Sequence, residues 1–426
     1  MIEYRYINIF RSVYMKNKII SLTLVLALLF GCLSVALPVM SFAQEDPNSV
    51  IIPQNEVPLH LYYDEEASHG IDTAFENLEM APGSGSNLIA ANVNDDWERW
   101  SIPIGNGYSG VNIFGRTETE RLQITEKTLV HPGGSWNCYG GLNSFSETYI
   151  DFGHTNSEVT NYSRALDLNT AISTVDYTFG GVDYSREYFI SYPDNALVIK
   201  LDASEMGALD FTLRPTIPCE QSYSYKDAED IAAGNTSRRK SAKTGTVTSS
   251  VEDGVGCIEM AGLMTYYDID FVGLYSVYTE GGTVTASTTT HTWTDRDGTV
   301  YNDQDGTIVV DGATSAYIVV TFGTDYVLSS ETFTSSDTAK PMFQTGYAET
   351  KAKIEGQLTA ITNQTTGKSV EEAYAVLKAN HLADYQELFG RVTLDLDYDE
   401  ADFAKTTDDL LTEYKGGSGS SYLEAL

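Results

Sequence analysis

Two acidic clusters are the first residues to invite a chemical reading: Asp295-Arg296-Asp297-Gly298 and Asp303-Gln304-Asp305-Gly306. Alternating carboxylates ahead of a glycine resemble the start of a calcium loop, which needs ligands at positions 1, 3 and 5, Gly at 6 and Glu at 12. No register through these residues supplies both the glycine and the terminal glutamate. Asp-Gly is also ordinary turn chemistry, so no metal is expected. Cysteine chemistry is sparse. Cys32 lies in an N-terminal apolar run, and Cys138, Cys219 and Cys257 remain. An odd count permits at most one bridge among them. No C-x-x-C pair exists, so a structural zinc site is unsupported. His381 falls on the apolar face of a helical pattern with no partner motif near it, and is expected to be a packed core histidine rather than an acid or base. Sixty acidic residues offer many carboxylate pairs. Spacing alone singles out none of them, and a typical surface carboxylate is solvated. No catalytic residue is named, and no cofactor is called for.

The stretch with the most local character is Trp97 to Gly134, WERWSIPIGNGYSGVNIFGRTETERLQITEKTLVHPGG. Its first apolar run, Ile102-Pro103-Ile104, must bend at Asn106-Gly107, the strongest short turn signal. Val111–Phe114 and Arg121–Thr125 alternate apolar and polar residues and read as a hairpin. Tight turns and Gly-rich loops at the mouths of a sheet are common places for sites. In the following loop, Trp136 reads first as an aromatic lid on the core and second as a sugar-stacking platform.

The elements that must hold this stretch are mostly strands. Leu59–Tyr63 is a plausible first strand. Ser173–Phe179 and Val182–Ile190 flank Gly180-Gly181, a two-residue hairpin by spacing and composition. Short strands follow at 196–201, 209–213, 245–251, 256–263, 269–278, 282–286, 306–310 and 316–322, each bounded by Gly, Asp, Asn or Ser. That rhythm predicts a sandwich or barrel of antiparallel sheet. Residues 223–243 are polar and bear Lys and Arg, a surface excursion. Beyond about residue 340 the periodicity becomes helical. Tyr347–Ile361 is one helix. Ser369–Phe389 is another, opened by a Ser369/Glu372 capping box and stopped by Gly390. Arg391–Leu396 returns as a strand, and Thr407–Tyr414 is a short helix.

With 426 residues the chain is long enough for more than one domain. It carries 26 basic against 60 acidic residues, so nucleic acid is excluded as a partner. A content of 42% hydrophobic residues and 28 Tyr marks a folded, β-rich protein rather than a disordered acidic one. At the N-terminus, Met15-Lys16-Asn17-Lys18, an apolar run from Ile19 to Leu37 and small residues through Ala43 form a bacterial-type secretory signal. The expected location is secreted or cell-surface. A retained membrane anchor is the competing reading, and a lipoprotein site at Cys32 a third.

Two segments together resemble glycoside hydrolase family 95, the alpha-L-fucosidases and their relatives. They are the motif W-x5-P-I-G-N-G-x2-G with E-R-L-Q-I-T-E-K-T-L, and the late segment H-L-A-D-Y-Q-E-L-F-G-R-V-T-L-D-L from His381 to Leu396. The resemblance covers roughly Leu59 to the end. It implies a mainly β fold: a large antiparallel β-supersandwich, then a short α-helical linker, then an (α/α)6 barrel. The implied division is a signal over 1–43, the supersandwich over 44–345 and the linker over 346–426, packing on a barrel beyond this sequence. The implied activity of the parent enzyme is inverting hydrolysis of terminal alpha-L-fucosyl or alpha-L-galactosyl linkages. Its partners would be fucosylated glycans or plant and host polysaccharide side chains. Inversion needs an acid and a base far enough apart to admit water, and the family places both in the barrel. The motif implies Asn106, Glu126, Thr128 and His131 as substrate-facing residues. Each has a structural alternative: Asn106 makes the turn, Glu126 and Thr128 satisfy backbone groups, and His131 lies exposed. The family's usual N-E-x-T-L-W here reads Thr125-Glu126-Lys127-Thr128-Leu129-Val130, without the Asn and the Trp. Two other readings compete. One is a stand-alone carbohydrate-binding or cell-surface module using Trp97, Trp100 and Trp136. The other keeps the fold and makes the parent enzyme a disaccharide phosphorylase.

Overall fold

A computed structural model describes residues 59–67, 100–131, 141–217, 223–225, 238–240, 243–264, 269–294, 300–327, 345–392 and 398–426. The segment expected to be a secretory signal, Trp97, Trp136 and Asp295 to Gly298 lie outside the described residues. The chain forms β1 (His60–Tyr63), β2 (Ile102–Gly105), β3 (Ser109–Ile113), β4 (Thr119–His131) and β5 (Gly141–Asp151). Next come β6 (Thr160–Asp167), β7 (Ile172–Phe179), β8 (Val182–Ser191), β9 (Ala196–Ala203) and β10 (Leu209–Thr216). A two-stranded excursion, β11 (Tyr223–Tyr225) with β12 (Arg238–Lys240), precedes β13 (Lys243–Glu252), β14 (Val255–Met264), β15 (Ile269–Thr294) and β16 (Val300–Thr324). Four helices close the described chain: α1 (Tyr347–Thr365), α2 (Val370–Phe389), α3 (Thr407–Lys415) and α4 (Ser421–Ala425).

Fourteen of the described strands form one antiparallel sheet, in the order β1-β6-β7-β8-β9-β16-β10-β5-β4-β3-β2, with β13, β14 and β15 joined in series to β16. The fold is the expected antiparallel β-supersandwich, and β16 is its spine. One edge of β16 pairs with β15 along its whole length; the other pairs with β10 through residues 308–313 and with β9 through 315–321. The sheet therefore curls around a single apolar core. Phe145 marks its centre, with ring centroids 5.5 Å from Phe271 and 5.0 Å from Phe322.

The apolar run Ala196-Leu197-Val198-Ile199 has no alternation because β9 is covered on both faces. Leu197, Ile199 and Leu201 enter the sandwich core, while Ala196 and Val198 lie beneath α2. Helix α2 begins at the expected capping box: the Ser369 side chain accepts from Glu372 N–H and the Glu372 carboxylate accepts from Ser369 N–H. Its Val370, Tyr374, Leu377 and Leu382 pack on Phe189, Val198, Tyr317 and Val319. His381 belongs to this layer. Its Nε2 lies 2.8 Å from the Thr170 carbonyl, which can only accept, so Nε2 is the protonated nitrogen. Burial holds its pKa below the usual value.

Three expectations change. The strands expected at 269–278, 282–286, 306–310 and 316–322 are parts of only two, β15 and β16. Gly281 and Gly282 adopt φ of +75° and +71° where the register slips, so they make a bulge that bends the ribbon without turning the chain back. Gly306 is not a turn residue either; a Cβ there would stand 2.5 Å from the backbone of Thr248 and Ser249, so β13 crosses it closely. Gly390 ends α2 as its C-cap in right-handed geometry, φ −75°, rather than as a residue beyond the cap. Arg391 and Val392 continue in a turn, and the rest of the strand expected there, 393–396, lies outside the described residues.

Candidate functional site

The Asn-Gly turn and the later part of the motif meet at one corner of the sheet. Strands β2 and β3 pair from Ile102↔Ile113 to Gly105↔Gly110. Between them the Asn106 Oδ1 accepts the N–H groups of Tyr108 and Ser109, each at 2.9 Å, and closes the turn. The Asn106 Nδ2 donates to the carbonyl of Ser191, at the end of β8, at 3.3 Å. Ser109 stands opposite Glu126 in the β3–β4 ladder. There β4 leaves register with β5: Thr125 faces Ser144 and Val130 faces Leu142, five steps (125 to 130) against two (144 to 142). Residues 126–129 stand against a single residue of β5 and bulge from the ladder.

The Glu126 carboxylate holds that bulge from inside. It is fully buried. Its Oε2 accepts Thr128 N–H at 2.7 Å, Thr128 Oγ1–H at 2.6 Å and Leu129 N–H at 3.0 Å. Its Oε1 has no hydrogen-bond partner among the described residues. The Thr128 hydroxyl in turn meets the Thr324 hydroxyl at the end of β16, which accepts Tyr326 N–H at 3.3 Å. Since Thr128 donates to Glu126, Thr324 is the donor to Thr128. Burial raises the Glu126 pKa, and the Thr128 hydroxyl and backbone oppose the rise by bonding the charged form. Tyr108 completes the corner. Lys127 Nζ lies 4.3 Å from its ring centroid, and Lys127 N–H bonds its carbonyl at 3.1 Å. Burial, then the Glu126 charge, push the Tyr108 hydroxyl up to about 12.

Three of the four motif-implied residues, Asn106, Glu126 and Thr128, therefore share this corner. His131 lies past the bulge, its backbone paired with Gly141, and its side chain is outside the described residues. Sequence reading missed Tyr108 and Thr324. Tyr108 sits inside the G-N-G-x2-G spacing, where its position was a signal. Thr324 is 196 residues from Thr128, and no local pattern connects them. Chemically the corner is a chain of donors ending on one buried carboxylate. Its Oε2 accepts three donors, and among the described residues no second carboxylate bonds to it.

The other residues with chemical promise are absorbed by structure. Asp305 accepts the Thr216 hydroxyl at 2.6 Å, and its Oδ2 lies 3.7 Å from His291 Nδ1. Among the described residues no three His, Cys, Asp or Glu side chains gather as metal ligands. Trp100 packs against the core, edge-on to Tyr63 with centroids 6.5 Å apart. A groove of about 510 Å³ on β6–β9, lined by Asp176, Thr178, Asp183, Ser185 and Asp202 among others, includes none of the motif residues.

Comparison with known proteins gives these residues a context. Residues 131–329 match the family described as Glycosyl hydrolase family 65, N-terminal domain. Alpha-L-fucosidase 2 of Arabidopsis thaliana is 30% identical over 151 residues, covering 26% of this chain and 17% of that protein. Probable alpha-fucosidase A of Aspergillus niger is 22% identical over 295 residues, covering 69% of this chain and 30% of that protein. The namesake from Aspergillus oryzae is 27% identical over 128 residues, covering 28% and 17%. The chain thus spans less than a third of the length of these relatives. The family number differs from the one the motifs resemble, while the relatives are fucosidases as the motifs imply. Residues 131–329 of the supersandwich thus match a glycoside hydrolase N-terminal domain, and the chain is similar over part of its length to alpha-fucosidases.

Proposed function

We propose that this chain is the non-catalytic N-terminal part of a secreted or cell-surface fucosidase-like hydrolase, whose parent enzyme cleaves terminal alpha-L-fucosyl or alpha-L-galactosyl linkages. In this reading the supersandwich and helices α1 and α2 pack on a catalytic barrel, and the Asn106–Glu126–Thr128 corner supports its wall. The observation that carries the supporting role is the closure of that corner. Glu126 is fully buried, and all the bonds to Asn106 and to Glu126 Oε2 come from this domain's own groups. A catalytic carboxylate must instead reach substrate or water. The fucosyl specificity rests on the fucosidase relatives. Secretion rests on the basic and apolar N-terminal pattern.

The test is an assay of the 426-residue chain on an aryl alpha-L-fucoside and on 2′-fucosyllactose. No turnover is expected, and clear turnover overturns the non-catalytic role. A longer product of the same reading frame is then assayed on the same substrates. Fucose release supports the specificity; release of another sugar without fucose refutes it.

A further inference from the structure

The motif turn, the β8–β9 turn and both long helices meet at one buried carboxylate. Strand β8 ends at Ser191, which pairs with Ala196 at the start of β9. In the turn between them lies Asp194, buried. Its Oδ2 accepts the Ser191 hydroxyl at 2.7 Å, and its N–H donates back to that hydroxyl at 3.2 Å. From α2, Asn380 Nδ2 donates to Oδ1 at 3.2 Å and to Oδ2 at 3.4 Å. From α1, Gln364 Nε2 donates to Oδ1 at 3.4 Å, and its Oε1 accepts Asn380 Nδ2 at 2.9 Å. On the other side, the Ser191 carbonyl accepts Asn106 Nδ2 at 3.3 Å. These donors to Asp194 are all neutral. A buried carboxylate served by neutral groups depends on keeping each of them, so neither helix can shift without leaving its oxygens short of donors. The two segments that carry the family resemblance flank this point: Asn106 belongs to the first, and Asn380 immediately precedes His381, where the second opens.

We infer that Asp194 is a positioning residue that holds the motif turn and the α1–α2 pair in one register, so that a displacement of the helices is felt at Asn106. Contiguous hydrogen-bond networks carry such coupling between elements that are distant in sequence. In the reading proposed above, on which this consequence rests, whatever packs on α1 and α2 acts on the motif corner through Asp194. The coupling itself is measurable without turnover, so its failure is distinct from the failure of that reading.

The experiment follows hydrogen exchange in the 426-residue chain at the N–H groups of Tyr108 and Ser109, which Asn106 Oδ1 accepts. Asn380→Ala removes the bonds of α2 to Asp194 and makes no change in the turn. It should raise exchange at these two groups about threefold or more. Asp194→Ala, which removes the shared acceptor, should raise it at least as much. Lys378→Met is the control. It breaks a different bond of α2 to the sheet, Lys378 to Glu187 at 2.6 Å, and should leave the turn unchanged. No rise with Asn380→Ala or with Asp194→Ala overturns the inference. An equal rise with Lys378→Met also overturns it, because general loosening of α2 then explains the effect. Asn106→Asp keeps the turn acceptor and removes the amide that reaches Ser191. In that background Asn380→Ala should no longer move the turn, and an undiminished rise refutes the route through Ser191.

Discussion

Glu120 is the residue whose loss should damage this fold most for its size. It is fully buried and accepts four hydrogen bonds. Gly115 N–H and Arg121 N–H bond Oε1 at 2.9 and 3.0 Å, while Arg186 Nη1 and the Tyr188 hydroxyl bond Oε2 at 2.9 and 3.2 Å. Arg186 is only 2% exposed, and its guanidinium lies between the Phe152 and Tyr177 rings at 4.9 and 5.3 Å. Glu120→Gln keeps the shape and an oxygen to accept the two backbone N–H groups but leaves the Arg186 charge buried without its counter-ion. Breaking a buried pair from one side costs about 3–5 kcal/mol, against a total stability on the order of 5–15 kcal/mol. Arg186→Met should cost about as much, because it strands the carboxylate instead. The double variant should cost clearly less than the sum, with a coupling of at least about 2 kcal/mol, since neither charge is then left alone. Urea unfolding followed by fluorescence measures all three, provided the slope m stays constant across the set. A Glu120→Gln cost below about 1 kcal/mol, or additivity within about 0.5 kcal/mol, would refute the reasoning.

Three further outcomes follow from the same structure. His154 bonds Tyr177 at 2.9 Å and stacks on Phe179, and burial depresses its pKa to about 4. Its unfolded pKa is about 6.5, so its contribution is complete above that pH and is lost as pH falls toward 4; His154→Phe should remove about 2 kcal/mol of acid sensitivity near pH 4.5, read as the difference in urea midpoints at pH 7 and 4.5. Asn106→Ala, which strands two turn N–H groups, should cost about 1–2 kcal/mol. Asn106→Asp, which keeps the Oδ1 acceptor, should cost less, and equal thermal shifts for the two would disprove the turn role. Ser369→Ala should destabilise the chain by about 1 kcal/mol in thermal melts, unless the capping box seen at α2 is idle.

Local patterns were readable where the physics that sets them is local. The β7–β8 hairpin needed only two glycines between alternating strands, and α2 needed only Ser369, Glu372 and a 3.6-residue period. Asn106 announced its turn for the same reason, because its side chain bonds backbone two and three residues on. The long ribbon of β15 and β16 defeated the reading because glycine is ambiguous. The residue that reverses a chain in one setting bends a ribbon at Gly281-Gly282 and admits a crossing strand at Gly306 in another, and the neighbour that decides between these is tens of residues away.

The motif corner shows the same limit in chemical terms. Its residue types are those of a sugar site: amide, carboxylate, hydroxyl and phenol. Whether such groups serve a ligand or the fold depends on where their hydrogen bonds go, and that is set by partners at a distance. Glu126 reads as an available carboxylate in sequence. In the fold its own bulge supplies three donors, and Thr324 from the far end of β16 lies against the hydroxyl that provides one of them. Three donors on one oxygen offset part of the cost of burying this carboxylate, so the bulge and the carboxylate depend on each other. The two Asn106 variants test this view on the other side of the corner, because they separate the bonds that close the turn from the amide that reaches Ser191. If the residues serve the fold first, stability should follow the turn bonds whether or not a sugar is ever offered.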